Sequence, residues 1–97
     1  MLHLIFQSTF DSSLLNRFES SDDVVFFESA IFRLIKGSIL NDELQKMHKS
    51  TINLYVLKCD IETRGILRNE LFFGVEAIDY PDLVTMTEKN RVIRTWS

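Results

Sequence analysis

Short apolar runs alternate along the chain with segments of mixed polarity. Leu2–Phe6 and Val24–Phe27 are almost continuously apolar, which is typical of strands that are covered on both faces. Ile52–Leu57, Gly74–Ile78 and Val92–Trp96 have the length and the β-branched or aromatic content of three further strands. The pattern therefore predicts five short strands.

The segments between these runs have the spacing of amphipathic helices. Their expected inward-facing positions are Leu14, Leu15 and Phe18; Ala30, Ile31, Leu34 and Ile35; and Leu83, Val84 and Met86. Asn41 is expected to cap a helical segment through Met47, and Asp60 a short helix that ends at Gly65. Asp79-Tyr80-Pro81 opens the last helix, because proline fits a first turn, where no backbone N–H is needed.

Strands that alternate with helices favour parallel pairing and right-handed crossovers. We therefore expect residues 1–97 to form a single α/β domain, a three-layer α/β/α sandwich with a mainly parallel sheet of about five short strands. Periodicity does not fix the order of the strands in that sheet.

Composition and charge narrow the possible functions. The 97 residues carry a net charge of -3, with a pI of about 5.3, whereas proteins that bind nucleic acid directly usually present a basic face. No apolar run approaches the roughly 18 residues that span a bilayer. The N-terminal segment lacks the basic region and cleavage site of a signal peptide, so we expect a cytoplasmic protein without direct contact to nucleic acid or membrane.

In open parallel sheets, binding and catalytic residues lie at the carboxyl ends of the strands. The polar residues expected there are Gln7-Ser8, Glu28-Ser29, Cys59-Asp60 and Asp79-Tyr80. Cys59 is the only cysteine of the chain and is expected beside a helix N-terminus, where the helix dipole favours a thiolate. Lys58 adds to that effect and Asp60 opposes it. Because a second thiol is lacking, Cys59 can equally be an inert small side chain.

The remaining polar residues suggest no metal or cofactor. His3 lies between two leucines and is expected to be packed and hydrogen-bonded, whereas His48 is expected to be solvated. Two distant histidines without clustered carboxylates do not make a metal site. The run Ser21-Asp22-Asp23 is expected to be a solvated loop. Three glycines, at 37, 65 and 74, match no phosphate-binding fingerprint, so we predict no cofactor.

Large aromatic side chains are numerous for so small a sheet. They are Phe26, Phe27, Phe32, Phe72, Phe73, Tyr80 and Trp96. Two interpretations stay open at this point: all of these rings belong to the core, or some of them form an exposed patch of the kind that binds a protein partner.

Several stretches together resemble the TusB/DsrH family of sulfur-relay proteins. They are "MLHLIFQS" at the start, "VVFFESAI" at 24–31, "LYVLKCDIETRG" at 54–65, "IDYPDLVTMT" at 78–87 and the near-terminal Trp96. The resemblance covers nearly the whole chain in the family's order. The residues that make the resemblance most specific are Asp60, Arg64, Gly65, Asp79, Tyr80 and Thr87.

The resemblance implies a DsrE-like fold and an accessory subunit that is not an enzyme by itself. Its partners would be TusC-like and TusD-like subunits in a heterohexamer, a dimer of heterotrimers. That complex passes persulfide sulfur from a TusA-like donor toward a TusE-like acceptor, and the sulfur ends in 2-thiouridine at the tRNA wobble position. The DsrH branch of the family serves intracellular sulfur oxidation instead.

The chain departs from the family pattern at three places. DsrH-type members carry a cysteine in the first helix, where this chain has Leu14, so the resemblance is closer to TusB. Cys59 stands where relatives commonly have another residue such as glutamate, and the family gives it no role. Glu28-Ser29-Ala30 replaces a glycine-containing turn. A persulfide on Cys59 and a homo-oligomeric α/β interaction module therefore stay as alternatives.

Overall fold

The computed structural model describes residues 1–6, 18–27, 30–31, 34–35, 41–72 and 74–96. Within them, five strands form one parallel sheet in the order β4-β3-β2-β1-β5. The strands are β1 (Leu2–Ile5), β2 (Asp23–Phe26), β3 (Asn53–Leu57), β4 (Val75–Ile78) and β5 (Ile93–Trp96). The five predicted strands are thus confirmed, each within a residue or two of its expected bounds.

Three α-helices lie between the strands in the described part of the chain: α1 (Asn41–Lys49), α2 (Lys58–Thr63) and α3 (Tyr80–Lys89). A short 3-10 helix, Arg68–Glu70, which the apolar pattern did not indicate, precedes β4. None of the described helices has the length and apolar character that crossing a membrane requires. Gly65 ends α2 with a φ of +70°, a backbone conformation that suits glycine.

The direction of each crossover decides which face of the sheet its helix covers. The chain moves stepwise from β1 to β4 and then crosses back to place β5 beside β1. Right-handed connections that run in opposite directions lie on opposite faces of the sheet. Helices α1 and α2 therefore cover one face, the first face, and α3 covers the other, the second face. The three-layer α/β/α architecture is confirmed.

The first face carries the larger core. Val24, Phe26, Leu54 and Val56 point to this face from β2 and β3 and are at most 2% exposed. The helices and connecting segments complete this core with Phe18, Ala30, Ile31, Leu34, Leu44, Met47, Ile61, Ile66, Leu71 and Phe72. The predicted inward positions Ala30, Ile31 and Leu34 are thus buried.

The second face carries a smaller core. Its buried members are Leu2, Val25, Phe27, Leu57 and Ile78, all from the sheet or its strand ends. Helix α3 contributes only the partly buried Leu83 and Met86 and has no fully buried residue. Phe6 stacks on Phe27 at this face, with ring centroids 4.6 Å apart. Packing on the second face is therefore shallow.

Three expectations about local structure are wrong. Val84 does not face inward but is 53% exposed, because only one flank of α3 meets the sheet. Ile35 packs against the first-face core as expected, but it does so from an antiparallel bridge with Leu71 and not from a helix. Asp60 lies inside the first turn of α2, whose N-cap is Leu57 without a capping side chain.

The aromatic side chains mostly build the core. Phe26, Phe27 and Phe72 are buried, whereas Tyr80 is 59% exposed. An exposed aromatic patch made of Phe26, Phe27 and Phe72 is therefore excluded. Phe32, Phe73 and the side chain of Trp96 lie outside the described residues, as do Leu14, Leu15 and most of the two helices predicted between β1 and α1.

Candidate functional site

Helix α2 begins directly after β3, so that Lys58, Cys59 and Asp60 all lie in its first turn. Val56 and Leu57 at the end of the strand are buried, and the change from strand to helix brings the next two side chains to the surface. The thiol of Cys59 is free and exposed. The prediction that Cys59 lies at the carboxyl end of β3, beside a helix start, is confirmed.

Helix α3 begins in the same way after β4, and here the helix start is capped. The backbone N–H of Asp82 donates to Asp79 Oδ1 at 3.1 Å, and the N–H of Asp79 donates to Asp82 Oδ2 at 3.4 Å. This reciprocal capping box, with Pro81 in the first turn, fixes where the helix begins. The hydrogen bond from the Asp82 N–H, supported by the charge of Lys58, lowers the pKa of Asp79.

Cys59 and Tyr80 are brought together by the two helix starts. A hydrogen bond to Cys59, together with the negative charges that Cys59 and then Asp60 can carry, raises the pKa of the Tyr80 phenol above its ordinary value. Strands β3 and β4 are neighbours in the sheet, with Leu57 opposite Ile78. Adjacent parallel strands therefore place the polar residues that follow them side by side.

This group of residues, Lys58, Cys59, Asp60, Asp79 and Tyr80, is the candidate site. It offers one accessible thiol with a phenol as hydrogen-bonding partner. Because the chain has a single cysteine, a persulfide formed here could be passed on only to a thiol of another molecule. Gln7-Ser8 and Glu28-Ser29, also expected at this edge, lie outside the described residues.

The histidines lie elsewhere. His48 is exposed on α1, as predicted, with its ring edge-on to Phe72 at a centroid distance of 6.2 Å. His3 is buried on the first face and packs against Phe18, with the two ring centroids 4.4 Å apart. Among the residues that the structure describes, no group of three or more His, Cys, Asp or Glu side chains could hold a metal ion.

Asp22 is not part of a solvated loop, contrary to the expectation from its acidic run. It is only 7% exposed and accepts hydrogen bonds at 3.0 Å from the Glu19 N–H and from His3 Nε2. The amino group of Met1 lies 3.4 Å from its other oxygen. Burial favours a higher pKa for Asp22, but the hydrogen bonds from Glu19, His3 and Met1 outweigh it and lower the pKa. A histidine inside an apolar strand was the sequence signal for such a buried partner.

The comparison with protein families matches residues 6–93 to the family described as DsrH like protein. Curated relatives named Protein TusB align over nearly the whole chain. Those of Buchnera aphidicola subsp. Baizongia pistaciae and of Erwinia tasmaniensis are each 30% identical, and the alignments cover 99% of this chain and 100% of those proteins. The Photorhabdus laumondii protein is 35% identical, with 88% of this chain and 82% of that protein covered.

Solved structures agree with the fold. A protein of unknown function, MTH1491 of Methanobacterium thermoautotrophicum, superposes with a TM-score of 0.81 at 14% identity and covers 97% of this chain and 96% of its own. The YchN protein of Escherichia coli superposes with a TM-score of 0.78 at 15% identity, covering 98% and 97%. These neighbours support the architecture alone. The family match and the full-length relatives show that the chain belongs to the TusB/DsrH family of sulfur-relay proteins.

Proposed function

We propose that this chain is an accessory, non-catalytic subunit of a TusBCD-like sulfurtransferase complex, which relays persulfide sulfur for 2-thiolation of the tRNA wobble uridine. The observation that carries the proposal is the full-length similarity to proteins named TusB. The complex would be cytoplasmic, with a TusA-like donor and a TusE-like acceptor acting on either side of it.

The candidate site supports a non-catalytic role. The family resemblance gives the position of the only thiol, Cys59, no role, and the chain has no second cysteine to resolve a persulfide. A relay through such a site depends on thiols that other subunits supply. We therefore assign the relay cysteine to a TusD-like partner and treat Cys59 as dispensable.

The second face supports assembly with TusC-like and TusD-like subunits. Helix α3 leaves Tyr80 and Val84 more than half exposed, and Ile93 on the edge strand β5 is 42% exposed. Apolar side chains exposed on one side of a small domain are typical of a surface that a partner covers. The net charge of -3 is consistent with tRNA being bound by other components.

Deletion and complementation in the source organism test this proposal. Deleting the gene should abolish 2-thiouridine at the wobble position, measured by mass spectrometry of digested tRNA. Both the wild-type chain and Cys59→Ser should restore it, and the chain should co-purify with TusC-like and TusD-like proteins. Intact thiolation after deletion would instead favour the sulfur-oxidation branch or a homo-oligomeric module. Failure of Cys59→Ser alone to complement would make Cys59 a persulfide carrier.

A further inference from the structure

A groove on the second face lies beside α3, where that helix leaves parts of β3 and β4 uncovered. It has a volume of about 360 Å³ and is open to solvent. Tyr55, Glu76 and Ile78 line it from the sheet, and Asp82, Met86 and Lys89 line it from α3. Asp23 and Asn53, the first residues of their strands, also line it, whereas Cys59 and Tyr80 do not. At its other end Asp82 is hydrogen-bonded to Asp79 of the candidate site.

The groove is predominantly acidic. Asp23, Glu76 and Asp82 place three carboxylates along it, against the single ammonium group of Lys89. Among the described residues, neither Glu76 nor Lys89 forms an ion pair. Asp23 accepts one amide hydrogen bond at each oxygen, from Asn53 at 3.0 Å and from Asn90 at 3.3 Å, and these leave its charge uncompensated. A cationic guest would therefore find negative charge on both sides of the groove.

The position of Tyr55 adds an aromatic surface between these charges. Tyr55 is half-buried on the second face and lies opposite Glu76 in the register of β3 and β4. Burial, followed by the charges of Asp23 and Glu76, raises the pKa of its phenol, in keeping with a negative environment. A ring of this kind favours a planar cation stacked on its face.

The spacing of the carboxylates selects the kind of cation. They do not converge closely enough to form a metal-binding group. A guanidinium carries five N–H donors in a planar fork, so it can reach separated acceptors and stack on an aromatic ring at the same time. A free cation would bind so open a groove only weakly, though measurably at high probe concentration, because each exposed ion pair contributes little. Contacts made by the rest of a protein chain would provide the missing affinity.

We propose that this groove receives an arginine side chain of a partner subunit. The inference deepens the proposed function, on which it rests, by assigning part of the partner-binding surface to Tyr55 and Glu76. It concerns the groove alone and assigns no role to Cys59.

The chemistry of the groove can be tested on the isolated full-length chain. Titration with N-acetyl-arginine amide, followed by amide chemical shifts, should give saturable changes at Tyr55, Glu76 and Lys89. N-acetyl-citrulline amide has nearly the same shape without the charge and should give none. Equal shifts with both probes, or no shifts with either, would overturn the proposal.

The partner is tested in the complex with the TusC-like and TusD-like subunits. Glu76→Gln keeps the size of an exposed side chain and should weaken assembly about tenfold at low salt, with a smaller effect at high salt. Glu88→Gln, an exposed carboxylate of α3 that does not line the groove, is the matched control and should leave assembly unchanged.

The outcomes separate the two proposals. A wild-type chain that binds neither subunit overturns the proposed function, and with it the partner assigned to the groove. Normal assembly of the wild-type chain combined with unchanged affinity of Glu76→Gln overturns the groove assignment alone. Self-association of the chain that Glu76→Gln abolishes would replace the partner subunit by a second copy.

Discussion

The two faces of the sheet differ in how deeply their helices are seated. On the first face, α1 and α2 bury Leu44, Met47 and Ile61, and the connecting segments add further buried side chains. On the second face, α3 buries no residue completely. Burial of apolar area is the main favourable contribution to folding, so stability resides mostly on the first face. The second face, with its groove and exposed apolar side chains, is the one suited to a partner.

The largest effect is expected in the first-face core. Leu54→Ala removes a side chain that is 2% exposed in β3 and should lower the free energy of unfolding by about 3 kcal/mol, through lost burial and the cavity left behind. Urea denaturation monitored by circular dichroism measures it. A loss no larger than that of a surface leucine would show that the first face does not dominate stability.

The second largest loss of stability is expected at the buried carboxylate of Asp22, beside the first face. Asp22→Asn replaces a buried carboxylate that is bonded to Glu19 and His3, and should cost about 2 kcal/mol at neutral pH. Because the pKa of Asp22 is lowered in the folded state, its contribution is present above about pH 4 and is lost as pH falls through the folded-state value.

Urea denaturation across the acid range measures this pH dependence. The variant should show a flatter loss of stability with falling pH than the wild-type chain. Asp42→Asn, an exposed carboxylate on α1, is the matched control and should leave the curve unchanged. Parallel curves for Asp22→Asn and the wild type would contradict the assignment of this carboxylate.

The same leucine-to-alanine change on the second face should be milder. Leu83→Ala on α3 removes a partly buried side chain and should cost the isolated chain roughly 1 kcal/mol or less. Leu54→Ala, measured under the same conditions, is its direct comparison. If Leu83→Ala destabilised the chain as strongly as Leu54→Ala, the two faces would be equivalent and the contrast drawn between them would be wrong.

The smallest effect concerns the candidate site and leaves stability nearly unchanged. In a Tyr55→Phe background Tyr80 is the sole tyrosine, and its ionisation can be followed by ultraviolet absorbance. Cys59→Ala should move the midpoint of that titration downward, because it removes the hydrogen bond and charge that raise the pKa of Tyr80. Asp60→Asn should move it less. An unchanged midpoint in Cys59→Ala would mean that the two side chains do not interact in solution.

The sequence predicted most of the backbone architecture, because buried parallel strands leave continuous apolar runs such as Val24–Phe27. It also placed Cys59 and Tyr80 at the carboxyl ends of their strands. The prediction of a solvated loop failed at Asp22. An acidic run looks solvated in the sequence, which does not show that His3 lies beside Asp22 in the fold. The prediction for Val84 failed because helical periodicity does not say how wide a flank of the helix meets the sheet.

The groove could not be predicted from the sequence. Tyr55 and Glu76 are 21 positions apart, and only the pairing of β3 with β4 sets them opposite each other. Strand order depends on long-range contacts that leave no local pattern in the sequence. Sites built across neighbouring strands are therefore the part of a parallel sheet that apolar periodicity does not reveal.

The position of β5 also bears on how the chain folds as it is synthesised. Its residues pair with β1, so that Leu2 lies opposite Ile93 and the two ends of the described chain are hydrogen-bonded neighbours. Closing so long a loop is slow and has to wait until the last strand has left the ribosome. Until then β1 has an open edge. A chain stalled before Ile93 would therefore expose that edge to aggregation, and pairing of β5 with β1 is the step that protects it.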